Sequence, residues 1–462
     1  MNTYQGRVID IAHDGRAVVA VRSSQDSAST ARKVLVHGAW LGELVELRID
    51  ESDGKRSAQL PRVVKVLEAS SYRVKAACPH YGLKPGKCGG CSWMFVDNEA
   101  QREVKQKWLD SLASLLAQNQ PETIQATEFL GKQLPVLGYR NRVTLHTNGD
   151  YVGFLSVASK SVAPINDCLV ANDAVREHIK TVAQSHPDKV VKKQVKASGE
   201  KTLSIHVDDQ MRSSSLGVGN DRMFRQANDA ANRLMRNKVA EWISTVTAAI
   251  QHADSSENLA GVDVIELFSG SGNFTSAYAL AARSIDAVEY DQKALDALRL
   301  NLASCGSQQN SRNASANALN PYKTNGGSKS GLELRTHTCD LLNATACRRL
   351  AKKLSAADLL ILDPPRGGFP ELPGFINSLL RKPRYVIYIS CHLASFKRDV
   401  SALQQLGFTV AELAAVDQFP QTPHLELMGF FKLGKKSPIK KALVQADRSG
   451  LKANGPKRRL KR

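Results

Sequence analysis

A cysteine placed just after an apolar run is positioned to react as well as to pack. Cys391 stands so, in the order Tyr388-Ile389-Ser390-Cys391-His392. Cysteine often serves as a small buried hydrophobe, but this side chain follows the strand-like run Tyr385–Ser390 rather than lying within it. An earlier apolar run, Asp358–Leu362, ends in Asp363-Pro364-Pro365-Arg366. Paired prolines hold the backbone open, which turns Asp363 toward the crevice above a sheet. Further on, Glu426 sits at a loop-to-strand junction in Phe419-Pro420-Gln421-Thr422-Pro423-His424-Leu425-Glu426. A lone glutamate there is usually solvated. In the company of a thiol and Asp363 it is a candidate general base.

These groups suit one reaction. Carbon 5 of a uracil is too weak a nucleophile to take a methyl group directly. Addition of the Cys391 thiolate to carbon 6 creates an enolate, and carbon 5 then attacks a sulfonium methyl. The carbon-5 proton must leave before the enzyme can eliminate, and Glu426 suits that step. The base must be single-stranded or flipped out of its helix. Methylases of exocyclic amino groups often carry an aromatic after Asp-Pro-Pro, where this chain has Arg366. Methylases making 5-methylcytosine typically hold a cysteine within that turn, and none is present.

The methyl donor needs its own crevice. Val264-Ile265-Glu266-Leu267 reads as a strand and runs into Phe268-Ser269-Gly270-Ser271-Gly272-Asn273-Phe274. The loop lacks the third glycine of a dinucleotide site. About 20 residues on, where a ribose diol is bound in such folds, Val288-Glu289-Tyr290-Asp291 places Glu289 at a strand end. An acid there serves NAD as well as S-adenosylmethionine. A third strand near Arg335–Cys339 would end at Asp340, which can accept from an adenine amino group.

Positioning these residues takes an α/β fold. From about residue 221 to 433, strand-like runs alternate with helical ones, the pattern of a parallel sheet, before two closing strands at Phe408–Val416 and Leu425–Lys432. The segment 306–334 is rich in Ser, Asn and Gly and reads as a flexible insertion. Residues 1–68 hold five short strand-like runs with turn signals at His13-Asp14-Gly15 and Ser52-Asp53-Gly54, which suits a small oligonucleotide-binding barrel. Residues 69–220 read as a mixed α+β central domain, with a helix expected over about Asn98–Gln118 and a basic strand around Tyr139–Leu145. The last stretch, 434–462, is a basic tail expected to be disordered.

The chain of 462 residues carries a formal net charge of +19. Its tail is strongly basic and the rest is basic too, which favours a polyanionic partner. No apolar run reaches the length of a membrane span, and Met1-Asn2-Thr3-Tyr4 lacks a secretory pattern. A cytoplasmic, monomeric protein is expected. Of eight cysteines, Cys78, Cys88 and Cys91 cluster, with Cys168 downstream. Clustered thiols in such a chain point to a metal rather than to disulfides. Spacing alone leaves zinc and an iron–sulfur cluster both open.

The ordered motifs are similar to those of the RNA uracil-5-methyltransferase family, the RlmD/TrmA group, over about residues 1–433. They are Phe224-Arg225-Gln226-Ala227-Asn228, Glu266 to Phe274, Asp363-Pro364-Pro365-Arg366-Gly367-Gly368, Ser390-Cys391 and Phe419 to Glu426. The resemblance implies a class I, Rossmann-like methyltransferase domain using S-adenosylmethionine, with Cys391 as nucleophile and Glu426 as base. It implies cofactor contacts at Gln226, Phe268, Asn273, Glu289, Asp340 and Asp363. It makes the first 68 residues a TRAM domain. It also makes Cys78, Cys88, Cys91 and Cys168 the ligands of a [4Fe–4S] cluster. Two departures stand out. The stretch between Cys78 and Cys88 is longer than the family's usual spacing, with Leu83–Lys87 resembling a loop insertion. His392-Leu393 replaces the usual Asn-Pro after the nucleophile. The pairing of such a barrel with a cluster resembles the ribosomal RNA enzymes more than the tRNA ones. An RNA-binding ribosome-assembly factor with weak or lost methyl transfer is the alternative function.

Overall fold

A computed structural model describes residues 2–21, 32–49, 61–118, 124–156, 161–184, 202–210, 225–253, 261–312 and 332–434. Most of the expected insertion, the basic tail beyond Gly434 and Phe224 lie outside these residues. The start of the expected insertion is helical, as part of Gln292–Arg312.

The first sheet contains β1 (Asn2–Ile11), β2 (Ala17–Val21), β3 (Arg32–Val36), β4 (Leu44–Ile49) and β5 (Arg62–Glu68). Its order is β3-β2-β1-β4-β5 and every pairing is antiparallel. Strict alternation in β2 turns Ala17, Val19 and Val21 inward. A small barrel was expected. Among the described residues the five strands form one antiparallel sheet, whose core takes in Trp93, Phe95 and Trp108 from later in the chain.

In the central region, β7 (Arg142–Thr147), β8 (Val152–Leu155), β9 (Val162–Pro164) and β10 (Leu203–Asp208) form a four-stranded sheet in the order β10-β7-β8-β9. The helix α2 (Asp173–Gln184) buries Val175, Ile179 and Val182 in the same core as β7 and β10. The other two central elements belong elsewhere. The helix α1 (Asn98–Ala117) sends Leu109, Leu112 and Leu116 into the core of the third sheet. The strand β6 (Ala126–Leu130) joins that sheet beside β16. The boundary expected near residue 221 is therefore crossed, since Leu109, Leu112 and Leu116 of α1 and Phe129 of β6 pack in the core of strands made much later.

The third sheet has eight strands in the order β13-β12-β11-β14-β15-β17-β16-β6. Its members are β11 (Val262–Leu267), β12 (Ala282–Glu289), β13 (Glu333–Thr338), β14 (Leu359–Leu362), β15 (Tyr385–Ser390), β16 (Phe408–Val416) and β17 (Glu426–Leu433), together with β6. The run β13 to β15 is parallel. Helices α3 (Asp229–Ala253), α4 (Thr275–Tyr278), α5 (Gln292–Arg312), α6 (Ala344–Ala351), α7 (Leu372–Ser378) and α8 (Leu393–Gln405) connect and cover it. Both faces are covered, so β14 is buried at every position. The last strand, β17, runs antiparallel between β15 and β16.

Candidate active site

Phe268 follows β11, Glu289 ends β12, Asp363 follows β14 and Cys391 follows β15. In a parallel sheet these carboxyl ends frame the ligand crevice. Because β17 runs the other way, its first residue, Glu426, arrives at the same edge. The ladder between β15 and β17 ends at the pair Ser390 and Leu427. The next position on each strand is Cys391 and Glu426, which stand opposite one another. Opposed residues of antiparallel strands project to one face, with Cβ atoms roughly 4.5–5.5 Å apart.

Each group in this cluster feels the others. Burial pushes the Cys391 thiol up to about 11, helped by the carboxyls of Glu426 and Asp363 and opposed by Arg366. Glu426 is pushed up to about 8 by burial and Asp363, again opposed by Arg366. Asp363 stands at about 7 through burial and the nearby Glu266. Glu266 is also held at about 7 by burial, although its Oε2 accepts from Thr275 Oγ1 and Tyr278 OH at 2.6 Å each. A file of carboxyls thus leads from β11 to the thiol. A carboxyl near 8 is well poised to accept a proton at cellular pH. The thiol is mostly protonated and must be activated as substrate enters.

Sequence reasoning missed Glu266 as part of this set. The available signal was an acid flanked by apolar residues within a strand, and Glu266 is only 2% exposed. Burial also keeps the His424 imidazole neutral, lowered to about 4 with help from Arg366, Lys105, Arg140 and His392. His392 caps α8: its side chain accepts from the Ser395 N–H.

The expected cofactor residues are placed as follows. Phe268 has φ 59°, Gly270 φ 53° and Gly272 φ 87°. A left-handed phenylalanine is strained by roughly 1–3 kcal/mol, and such strain gathers at functional sites. Its ring is braced edge-on by Phe369 at 5.3 Å. A side chain on Gly270 would meet nothing within 4 Å, so the loop has an open face that a ligand can approach closely. Glu289 Oε2 accepts from the Gly270 N–H at 3.0 Å, tying the acid to that loop. Asn273 exchanges two side-chain hydrogen bonds with Asn232, at 2.8 and 3.0 Å. Asp340 is exposed just past β13, where its Oδ1 accepts from the Leu342 N–H at 3.0 Å. Gln226 lies apart from the glycine loop. Gln418 Nε2 donates to its side-chain oxygen, and Asn141 Nδ2 donates to its backbone oxygen at 2.9 Å.

The loop before Glu426 is clamped by α1 and the residues that precede it. Lys105 Nζ pairs with Asp417 Oδ1 at 2.7 Å, fully buried. Gln421 sits at φ 69°. Its N–H donates to Gln101 Oε1 at 3.0 Å, and its carbonyl accepts from the Trp93 N–H at 3.0 Å. Tyr139 OH donates to the Pro420 carbonyl at 3.1 Å. Sequence reading missed Gln101 and Lys105. They occupy the inward positions of an amphipathic helix, where a polar residue is a sign of a buried partner.

Cys78, Cys88, Cys91 and Cys168 line one cavity with His80 and Tyr81. None is in a disulfide. Among the described residues, no three His, Cys, Asp or Glu side chains converge as ligands of one ion. A single zinc would draw its thiolates to roughly 3.8 Å of each other, given its bond lengths.

A cleft of about 350 Å³ opens beside the nucleophile, lined by Ala12, His13, Asp14, Trp108 and residues of the Arg366, Cys391 and His424 segments.

The comparisons with known proteins agree with this geometry. An RNA methyltransferase of Nitrosomonas europaea is 29% identical over 434 residues, 93% of this chain and 96% of the relative. The 23S rRNA (uracil(1939)-C(5))-methyltransferase RlmD of Halomonas elongata is 28% identical, over 90% of this chain and 87% of its own. That of Pseudomonas putida is also 28% identical, over 92% of each. The family model described as tRNA (Uracil-5-)-methyltransferase matches residues 345–433, the stretch that holds Asp363, Cys391 and Glu426. The chain is thus similar to the RNA uracil-5-methyltransferase family. A solved family structure, the Pyrococcus abyssi tRNA (uracil-54, C5)-methyltransferase with S-adenosyl-L-homocysteine, shares the fold at a TM-score of 0.58 and 19% identity, covering 92% of this chain and 99% of that one. No described helix is long and apolar enough to cross a membrane.

Proposed function

We propose that this protein transfers a methyl group from S-adenosylmethionine to carbon 5 of a uridine in RNA, through a covalent bond between Cys391 and carbon 6. The observation that carries this reading is the opposition of Cys391 and Glu426 across the end of the β15–β17 ladder. Cys391 attacks carbon 6 and the enolate forms. Carbon 5 takes the sulfonium methyl, Glu426 removes the carbon-5 proton, and the Cys391–carbon 6 bond breaks as the double bond returns. Arg366 opposes the upward shift of both the thiol and the base, so it favours their charged forms. Methyl-donor binding falls to Phe268, Asn273, Glu289, Asp340 and Asp363 around the glycine loop, and to Gln226, which precedes α3.

Large-subunit ribosomal RNA is the favoured substrate, in line with the RlmD relatives, and the cytoplasm is the expected place of action. The N-terminal sheet is read as a TRAM domain that grips RNA. Cys78, Cys88, Cys91 and Cys168 are read as ligands of a [4Fe–4S] cluster, which when bound would cross-link the 78–91 loop to Cys168. Anaerobically purified protein should then be brown with about four irons per chain, and zinc without iron overturns that part.

The reaction is tested by tritium release from RNA labelled at carbon 5 of uracil. Release with wild type and none with Cys391→Ala is expected. Methyl transfer to RNA with no release rules out carbon-5 chemistry. Mass mapping of RNA from a strain lacking the gene locates the uridine.

A further inference from the structure

The cleft beside Cys391 is larger than its chemistry needs. Cys391 lines one part of its roughly 350 Å³. The remainder is walled by the β1–β2 turn, with His13 exposed, and by Trp108 of α1.

This turn is fixed in place. Trp93 Nε1 donates to the Gly15 carbonyl at 3.0 Å. Gly15 has φ 86°, and a Cβ there would lie 2.6 Å from Pro423 Cγ. Only glycine lets the turn sit so close to the catalytic loop. The His13 ring meets Trp108 edge-on at 5.1 Å, Trp108 meets Trp93 at 5.6 Å, and Trp93 meets Trp40 at 5.1 Å. The exposed imidazole is therefore the outer member of a file of aromatic rings that begins in the core of the sheet.

A braced aromatic ring at the wall of this cleft is what the base of an unstacked nucleotide requires.

We propose that His13 forms a second nucleotide subsite, which holds the base of a nucleotide flanking the target uridine against its ring. The subsite rests on the reading of this protein as an RNA uracil methyltransferase. Drawing the target out of its stack strips the neighbouring base of its own partner, and His13 replaces that lost contact.

The experiment uses the full chain and short RNAs spanning the mapped uridine, either intact or abasic at one flanking position at a time. On intact RNA, His13→Ala should raise KM roughly tenfold, the usual effect of losing a base-stacking ring, and His13→Phe should restore most of it. One abasic position should raise the wild-type KM by a similar factor, and His13→Ala should show no further rise with that RNA. The subsite is overturned if His13→Ala matches wild type on intact RNA. It is equally overturned if that variant loses the same factor on every abasic RNA, the mark of a structural defect. If wild type methylates no uridine at all, the methyltransferase reading fails first and the subsite falls with it.

Discussion

Cys391 and Glu426 face each other because β15 and β17 run in opposite directions and their ladder stops one residue short of both. The thiol proposed to attack carbon 6 and the carboxylate proposed to remove the carbon-5 proton thus stand on one face. In the proposed reaction these two groups act on adjacent ring carbons.

Replacing the base should trap the reaction midway. In Glu426→Gln the thiol can still add and the methyl can still transfer, but the carbon-5 proton has no acceptor. We expect turnover to fall by about 10²–10⁴-fold, with a methylated RNA–protein adduct visible on denaturing gels. Free methylated RNA at the wild-type rate would show that another group takes the proton.

The rate should climb with pH. Glu426 must be ionised to act, and it is held near 8. The thiol, held near 11, must also lose a proton. Both requirements push the same way, so single-turnover kcat/KM should rise from pH 6 to 9 with no falling limb. Arg366→Gln removes the cation that opposes both shifts, and should move the profile to higher pH. A flat profile in wild type would sink this account.

Asp363 is held at about 7, well above its unfolded value, so the fold favours its neutral form. The penalty for ionising it is absent below the unfolded pKa and complete above the folded one. Asp363→Asn should therefore stabilise the protein without cofactor by ~1–2 kcal/mol at pH 8 in urea titrations, and by less at pH 5. Methyl transfer should be lost. Equal stabilisation at both pH values would point to a packing effect.

The buried pair of Lys105 and Asp417 fixes the loop that carries Glu426. Lys105→Met leaves a buried carboxylate alone and should cost about 3–5 kcal/mol. Adding Asp417→Leu should recover most of that stability, since a buried pair is often replaceable by apolar residues. If the double variant is as unstable as the single, the cost lies in packing around Lys105.

The parts of this architecture that obey local rules were legible in the sequence. Ala17–Val21 alternates, Leu359–Leu362 is apolar throughout, and both are strands with the burial those patterns imply. Asp363 and Cys391 lie at strand ends as their motifs required. What escaped was long-range. Nothing within Ala126–Leu130 tells that it pairs with Glu412–Val416. Lys105 looks like a surface lysine until Asp417 is beside it. The opposition of Cys391 and Glu426 was equally hidden, because it depends on the register of two strands separated by α8 and β16.

The position of β17 also sets when the protein becomes an enzyme. Among the described strands it is the last in chain order, yet it is an inner strand, inserted between β15 and β16. Until it emerges from the ribosome, β15 and β16 have no common neighbour and Glu426 does not exist. A nascent chain can already have folded its N-terminal sheet, since domains form as units during synthesis, without being able to methylate RNA. Catalytic competence therefore arrives in a single late step of translation, when the final strand closes the sheet.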